Sequence, residues 1–244
     1  MNVLDRINAN RKNKRQLAVL IDPDKHDVSS LEDLIIQVNG YDIDYVFVGG
    51  SLVNTDISAF IKGVKKLTDI PVILFPGSVM QISSEADAIL FLSLISGRNP
   101  EYLIGHHVQA AIPLLASGIE VISTGYILID GGRVTSVEYM SNTQPIPADK
   151  PDIVVSTAVA GEMLGNRMIY LEAGSGAKAS VPFELIKEVK KQVSIPIIVG
   201  GGIKDSKTLQ ETFNAGADIV VIGTALEKSP EILSKITRKR STVV

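Results

Sequence analysis

Eight short apolar, β-branched runs recur along the chain: 17–22 (LAVLID), 45–50 (YVFVGG), 71–75, 88–94, 119–126, 168–172, 195–202 (IPIIVGGG) and 219–224 (IVVIGT). Continuous apolar runs of this length suit strands buried on both faces, the mark of a parallel sheet. Helix-like stretches lie between most of them, at 29–38, 56–67, 100–115, 153–164, 182–193 and 206–215. Ser30 reads as an N-cap with Asp33 three residues on, and Pro100 and Pro182 sit where a first-turn proline is tolerated. Strand alternating with helix gives βαβ units, and eight of them give an α/β fold closed as a (β/α)8 TIM barrel. The length of 244 residues fits a single barrel domain over 1–244, since such barrels take about 250 residues.

Two stretches break the pattern. Only residues 76–87 separate the third run from the fourth, which is short for a parallel crossover, so the third helix is expected to be missing or replaced by irregular chain. Residues 127–139 carry a DGG turn between apolar residues and read as an inserted β-hairpin.

Composition narrows the chemistry. There is no cysteine, which removes thiolate metal sites, disulfides and a Cys nucleophile. With 24 basic and 27 acidic residues there is no broad basic footprint, and no nucleic-acid partner is expected. The longest uncharged apolar run, 88–97, is half of what a membrane span needs, about 20 residues, and the polar N-terminus is no secretory signal. A soluble, cytoplasmic protein is the expectation. The basic triplet 238–240 reads as a solvated helix end, offering only weak, transient contact with an anionic membrane surface, about 1 kcal/mol per residue.

The strongest chemical signal is the pair IVGGGIKD (198–205) and VVIGTALEK (220–228). Each is a buried run opening into glycine and then a helix, where free N–H groups and the helix dipole favour an anion. Loops after strands seven and eight often hold phosphate on barrels, so Gly201, Gly202, Gly223 and Thr224 are candidate phosphate ligands. The plain reading is a pair of tight turns. Strand six ends in YLEAGSGA (170–177), which puts Glu172 at the C-terminal end where barrel enzymes keep catalytic groups, with donors from Gly174, Ser175 and Gly176 beside it. A carboxylate next to a phosphate site is unfavourable unless it works as a base or positions a hydroxyl, and Tyr170 projects to the same side. Strand one ends in IDPDKHD; Asp22 and Asp24 are hard oxygen ligands suited to Mg²⁺, and Ser51 on the next strand completes such a shell. His106 and His107 read as structural or surface residues, and Arg98 as a loop cap or a contact for diphosphate.

The motifs DPDK, VGGS, YLEAGSGA, GGGIKD and IGTALEK, in this order from residue 20 to 228, resemble those of geranylgeranylglyceryl phosphate synthases, archaeal-type branch, and their bacterial heptaprenylglyceryl relatives. The resemblance implies a barrel without a regular third helix. It also implies Mg²⁺-dependent transfer of a prenyl group from its diphosphate to the 3-hydroxyl of sn-glycerol 1-phosphate, and a homo-oligomer, dimer or hexamer. By it, Asp22 and Ser51 match the magnesium positions. Tyr170, Leu171, Glu172, Ala173, Gly174, Ser175 and Gly176 match the glycerol-phosphate positions, together with Gly201, Gly202, Gly223 and Thr224. The heptaprenyl branch carries a glycerol-phosphate lysine where this chain has Leu20; Lys204 is the candidate replacement. The prenyl tail needs an apolar groove, with Phe75, Val79, Leu92, Ile95 and Tyr126 as candidate walls. Tyr102 and Tyr139 are candidate interface aromatics. The competing readings are another phosphate-binding barrel enzyme, an isomerase or lyase, and a non-catalytic phosphate-binding barrel.

Overall fold

In the computed structural model, which describes residues 1–240, eight parallel strands close on themselves. They are β1 (Gln16–Ile21), β2 (Tyr45–Val48), β3 (Val72–Leu74), β4 (Ala88–Leu94), β5 (Glu120–Leu128), β6 (Met168–Glu172), β7 (Ile197–Gly200) and β8 (Ile219–Ile222). Strand order follows chain order, and β8 pairs back to β1 through Leu17↔Val220 and Ala18↔Val221. This is the TIM barrel expected from the eight runs.

Alternation along each strand separates two cores. Leu17, Val19 and Ile21 face outward onto the helices, while Ala18, Tyr45, Phe47, Ile73, Leu90, Tyr170, Ile198 and Val221 fill the interior. The N-terminal helix α1 (Val3–Asn10) joins the inner core with Val3, Leu4 and Ile7. Its free N–H groups at Val3 and Leu4 donate to the Glu120 carboxylate at 2.5 and 3.1 Å, a negative charge where the helix dipole favours one.

The outer layer contains α2 (Val28–Asn39), α3 (Ile57–Leu67), α4 (His106–Ser117), α5 (Ser136–Ser141), α6 (Pro151–Met163), α7 (Phe183–Gln192), α8 (Ser206–Asn214), α9 (Thr224–Lys228) and α10 (Ile232–Ile236). Between β3 and β4 no helix forms, as the short crossover predicts. Gln81 ties that irregular segment down: its Nε2 donates to the Gly50 carbonyl at 2.9 Å and its Oε1 accepts from Gly77 N–H.

Three local expectations are corrected. Residues 127–139 form no hairpin. β5 continues to Leu128, Asp130 Oδ1 closes the DGG turn by accepting from Gly132 N–H, and α5 follows. Thr135 accepts from Glu138 N–H, so a helix N-cap outcompetes a returning strand. The cap of α2 is Asp27 rather than Ser30: its carboxylate accepts from Ser30 N–H at 2.8 Å, and a charged acceptor three residues nearer the start captures the free amides. The basic triplet is not a helix end. α10 stops at Ile236, and the chain returns along residues 40–42, with Arg240 N–H donating to Gly40 O and Lys239 bridging Tyr41. No helix among the described residues is long and apolar enough to cross a membrane.

Candidate active site

The C-terminal ends of the strands enclose a cavity of about 790 Å³. Its wall brings together Asp22, Ser51, Tyr170, Glu172, Ser175, Gly176, Gly201, Gly202, Gly223 and Thr224, drawn from five strand ends. Leu171 and Ala173 belong to the outer core and face away, so their side chains take no part in the wall. Gly174 contributes through its backbone.

Glu172 is the chemical centre. The pleat of β6 turns Tyr170 and Glu172 inward, and the carboxylate is buried. Burial pushes its pKa up from 4.5 to about 7, opposed by the hydrogen bond from Gly174 N–H, at 2.6 Å to Oε1, and by the nearby phenol of Tyr170, whose buried hydroxyl has no hydrogen-bond partner among the described residues. A base with a pKa near neutrality is matched to proton transfer at physiological pH. Behind it, β7 must come very close. A Cβ on Gly200 would collide with Tyr170 Oη and lie 2.5 Å from Glu172 Oε2, so glycine there leaves room for both groups.

The anion cradle lies beside this base. Gly201 and Gly202 both adopt left-handed backbone, φ 81° and 72°, which glycine reaches without strain. Across the mouth, Ser175 Oγ and Thr224 Oγ1 are 3.0 Å apart, joining the β6 and β8 loops, and Thr224 opens α9. Leu20 packs beneath Gly223, 3.5 Å from where its Cβ would stand, so an apolar contact occupies the position of the heptaprenyl lysine. Lys204 lines the cavity and donates to Lys178 O at 3.2 Å.

On the opposite side, the two aspartates of DPDK part company. Asp24 accepts from the backbone N–H groups of Asn54 and Thr55 and from the Thr55 hydroxyl at 2.7–3.1 Å. Those bonds, the Thr55 hydroxyl first, lower its pKa to about 2. Asp24 is therefore a loop staple, not a metal ligand. Asp22 faces the cavity against Gly50, and Lys25 Nζ bridges Asp22 Oδ2 at 3.1 Å and Glu227 Oε2 at 2.9 Å. One carboxylate, paired with Lys25, beside a serine hydroxyl is the sparse donor set that Mg²⁺ accepts when water and phosphate oxygens fill the rest of its shell. No group of three or more His, Asp or Glu arranged for a metal occurs among the described residues.

A second, apolar cavity opens from the first beneath the helix-free crossover. Phe75, Val79, Leu92 and Tyr126 line it, as the groove expectation has it; Ile95 does not. Phe75 and Tyr126 border both cavities. His107 also lines the apolar cavity, with Nε2 3.1 Å from Ser93 Oγ and its ring edge-on to Phe91 at 4.4 Å. Burial lowers its pKa, in keeping with a structural role. His106 packs on Tyr102. Tyr102 is only partly exposed and donates to Met140 O, whereas Tyr139 is exposed. Arg98 donates to the carbonyls of Ile95 and Gly97, a loop cap away from the mouth. Gly200, Lys25 and Glu227 escaped the sequence reading. They stand inside the quoted motifs, but only the folded distances give them work.

Comparison with known proteins agrees with this geometry. The PcrB family model matches residues 10–240. The geranylgeranylglyceryl phosphate synthase of Chitinophaga pinensis is 51% identical over 94% of this chain and 92% of its own. That of the archaeon Korarchaeum cryptofilum is 41% identical over 96% of each. Among solved structures, (S)-3-O-geranylgeranylglyceryl phosphate synthase from Thermoplasma acidophilum, in complex with its substrate sn-glycerol-1-phosphate, superposes with a TM-score of 0.91 at 36% identity, covering 97% of this chain and 96% of that one. An N-acetylmannosamine-6-phosphate 2-epimerase from Clostridium perfringens, at 16% identity and a TM-score of 0.60, shares the barrel alone. With its family model, its relatives and its cavity in agreement, the chain belongs to the PcrB family.

Proposed function

We propose that this protein transfers a geranylgeranyl or similar long prenyl group from its diphosphate to the 3-hydroxyl of sn-glycerol 1-phosphate, forming the ether bond of a phospholipid precursor. The observation that carries the reading is Glu172: a buried carboxylate with a pKa near 7, set between an anion cradle and an apolar cavity. The cradle of Gly201, Gly202, Ser175 and Thr224 would take the glycerol phosphate. Glu172 would accept the proton of the 3-hydroxyl while Tyr170 orients it. The apolar cavity would take the prenyl tail. Kinship to a synthase solved with sn-glycerol-1-phosphate supports the acceptor.

Asp22 and Ser51 would hold Mg²⁺, whose chemistry when bound is to neutralise the diphosphate that departs. Lys25, already balanced between Asp22 and Glu227, adds positive charge at the same edge. Both substrates carry charged phosphates that do not cross a bilayer unaided, so the reaction belongs in the cytoplasm. A homo-oligomer goes with this reading. Ile104, Val108, Ile112 and Leu115 make an exposed apolar stripe along α4 and the wide turn before it, a surface for a second copy.

The test is a transfer assay with labelled sn-glycerol 1-phosphate, Mg²⁺ and prenyl diphosphates of increasing length. The expected result is an apolar labelled product that disappears with EDTA and is not made from glycerol 3-phosphate. Absence of product with every donor would overturn the reading.

A further inference from the structure

Residues 11–15 (RKNKR) and 238–240 (RKR) come from the two ends of the chain, and seven of these eight positions are basic. The fold joins them. The first segment leads into β1 at Gln16, which places it on the N-terminal face of the barrel, at the end away from the mouth. It spreads across that face. Arg11 donates to Ser194 O at 2.8 Å, ahead of β7, and Arg15 to Asn214 Oδ1 at 2.6 Å, ahead of β8. Lys14 pairs with Asp42 and Asp44, each at 2.9 Å, ahead of β2. The second segment arrives at the same loop: Asp42 N–H donates to Arg238 O, Lys239 bridges Tyr41, and Arg240 N–H donates to Gly40 O. Asp42 meets both segments, so one basic strip runs past the starts of β7, β8, β1 and β2.

The strip keeps most of its charge. Lys12, Arg238, Lys239 and Arg240 are exposed, and their side chains have no ion-pair partner among the described residues. The acids met on this face are already engaged: Asp42 and Asp44 by Lys14, Asp218 by Lys190, and Glu162 by the backbone N–H and hydroxyl of Ser194. In a chain of net charge −3, seven of the 24 basic residues are gathered at one end of the barrel. A patch of this kind draws anions to it. Its character selects among them. None of the exposed large apolar side chains stands within 11–15, 40–44 or 238–240, so the strip lacks the apolar anchors around which a protein interface is built. The rings beside it, Tyr41 and Phe213, are only partly exposed, and the Arg15 guanidinium covers Phe213 at 5.6 Å, which leaves no platform for a stacked base. What remains is charge spread over a face, which suits a plane of many anionic headgroups. We propose that the N-terminal face of the barrel docks on a bilayer bearing anionic phospholipid, through Lys12, Arg238, Lys239 and Arg240, with Arg11 and Arg15 beside them. The triplet 238–240 alone would hold only weakly. The attraction grows with each added cation near the surface, and the fold more than doubles their number. Docking by this face turns the mouth toward the aqueous phase. The inference goes beyond the transfer reaction and does not depend on it.

The test is co-sedimentation of the full-length protein with vesicles of phosphatidylcholine alone or with about 40% phosphatidylglycerol, at about 50 mM and about 500 mM NaCl. The expected result is binding to the anionic vesicles at low salt, at least a tenfold weaker apparent affinity at high salt, and no binding to phosphatidylcholine. K12E/R238E/K239E should lose at least tenfold in vesicle affinity with its thermal midpoint unchanged. K12Q/R238Q/K239Q, which introduces no new charge repulsion, should lose an intermediate amount and stands in if the reversal does not fold. R133E/K178E/K207E makes the same change of net charge with exposed cations at the other end of the barrel, and it should bind anionic vesicles as the wild type does. Failure of the wild type to bind anionic vesicles at low salt would overturn the proposal. So would equal losses in the two reversed variants, which would trace binding to net charge and not to the strip. A protein that ignores the vesicles but binds a labelled single-stranded oligonucleotide through the same cations would replace the bilayer with a nucleic acid.

Discussion

Glu172 joins catalysis to stability through one proton. Its pKa of about 7 in the fold stands above the 4.5 of the unfolded chain, so between these values the folded state holds a proton that the unfolded state has lost. The stability it contributes is complete below pH 4.5 and is lost as pH rises through 7, a change of about 3 kcal/mol. Turnover runs the other way, rising as the carboxylate ionises through pH 7. E172Q is expected to lose at least 100-fold in kcat, to keep its fold, and to unfold at a higher temperature than the wild type at pH 8 but not at pH 4. Calorimetry at the two pH values, beside the transfer assay, checks both halves. The two aspartates of DPDK make the complementary case. D22N should abolish Mg²⁺-dependent turnover with little change in melting temperature. D24N should lower the melting temperature by freeing the Asn54–Thr55 loop while Mg²⁺ response is retained, and a metal titration of each variant separates them. The sequence marked both as hard oxygen ligands. Their division of labour was illegible there, because it depends on a loop thirty residues away folding over Asp24 and not over Asp22.

At the scale of elements, strand and helix positions were legible because the apolar runs are continuous and most helices begin at an acidic or proline cap. Asp56 and Asp205 cap α3 and α8 where the pattern placed those helices. What was not legible is local competition. DGG between apolar residues carries the same signal whether a strand or a helix follows, and the hydrogen bond from Glu138 to Thr135 decides for the helix. The glycines at the end of β7 show a further limit. They read as a phosphate loop, yet Gly200 serves the base rather than the phosphate. G200A should therefore leave the glycerol-phosphate affinity nearly intact and cut kcat by at least tenfold, since the new methyl displaces Glu172 and Tyr170 together. Binding of sn-glycerol 1-phosphate by calorimetry, set against turnover, gives the two numbers needed.

For the whole molecule, the apolar stripe on α4 predicts self-association. Val108 and Ile112 are exposed, and V108D with I112D is expected to shift the protein to monomer in light scattering while leaving the barrel folded. The seam between β3 and β4 has a different consequence. β3 is three residues long, its ladder to β4 is Ile73↔Ala88 and Leu74↔Ile89, as short as that of β7 to β8, and here the connection between the two strands carries no helix. A closed ring resists opening only as well as its weakest joint, and a short ladder with no helix in its crossover is where opening is expected to begin. Amide hydrogen exchange should show early loss of protection at residues 72–91, by local opening that leaves β5–β8 protected. The cradle and Glu172 stand on β6–β8 and the apolar groove wall beside the seam, so an opening confined to 72–91 would let the wall yield to a greasy substrate without disturbing the atoms that react.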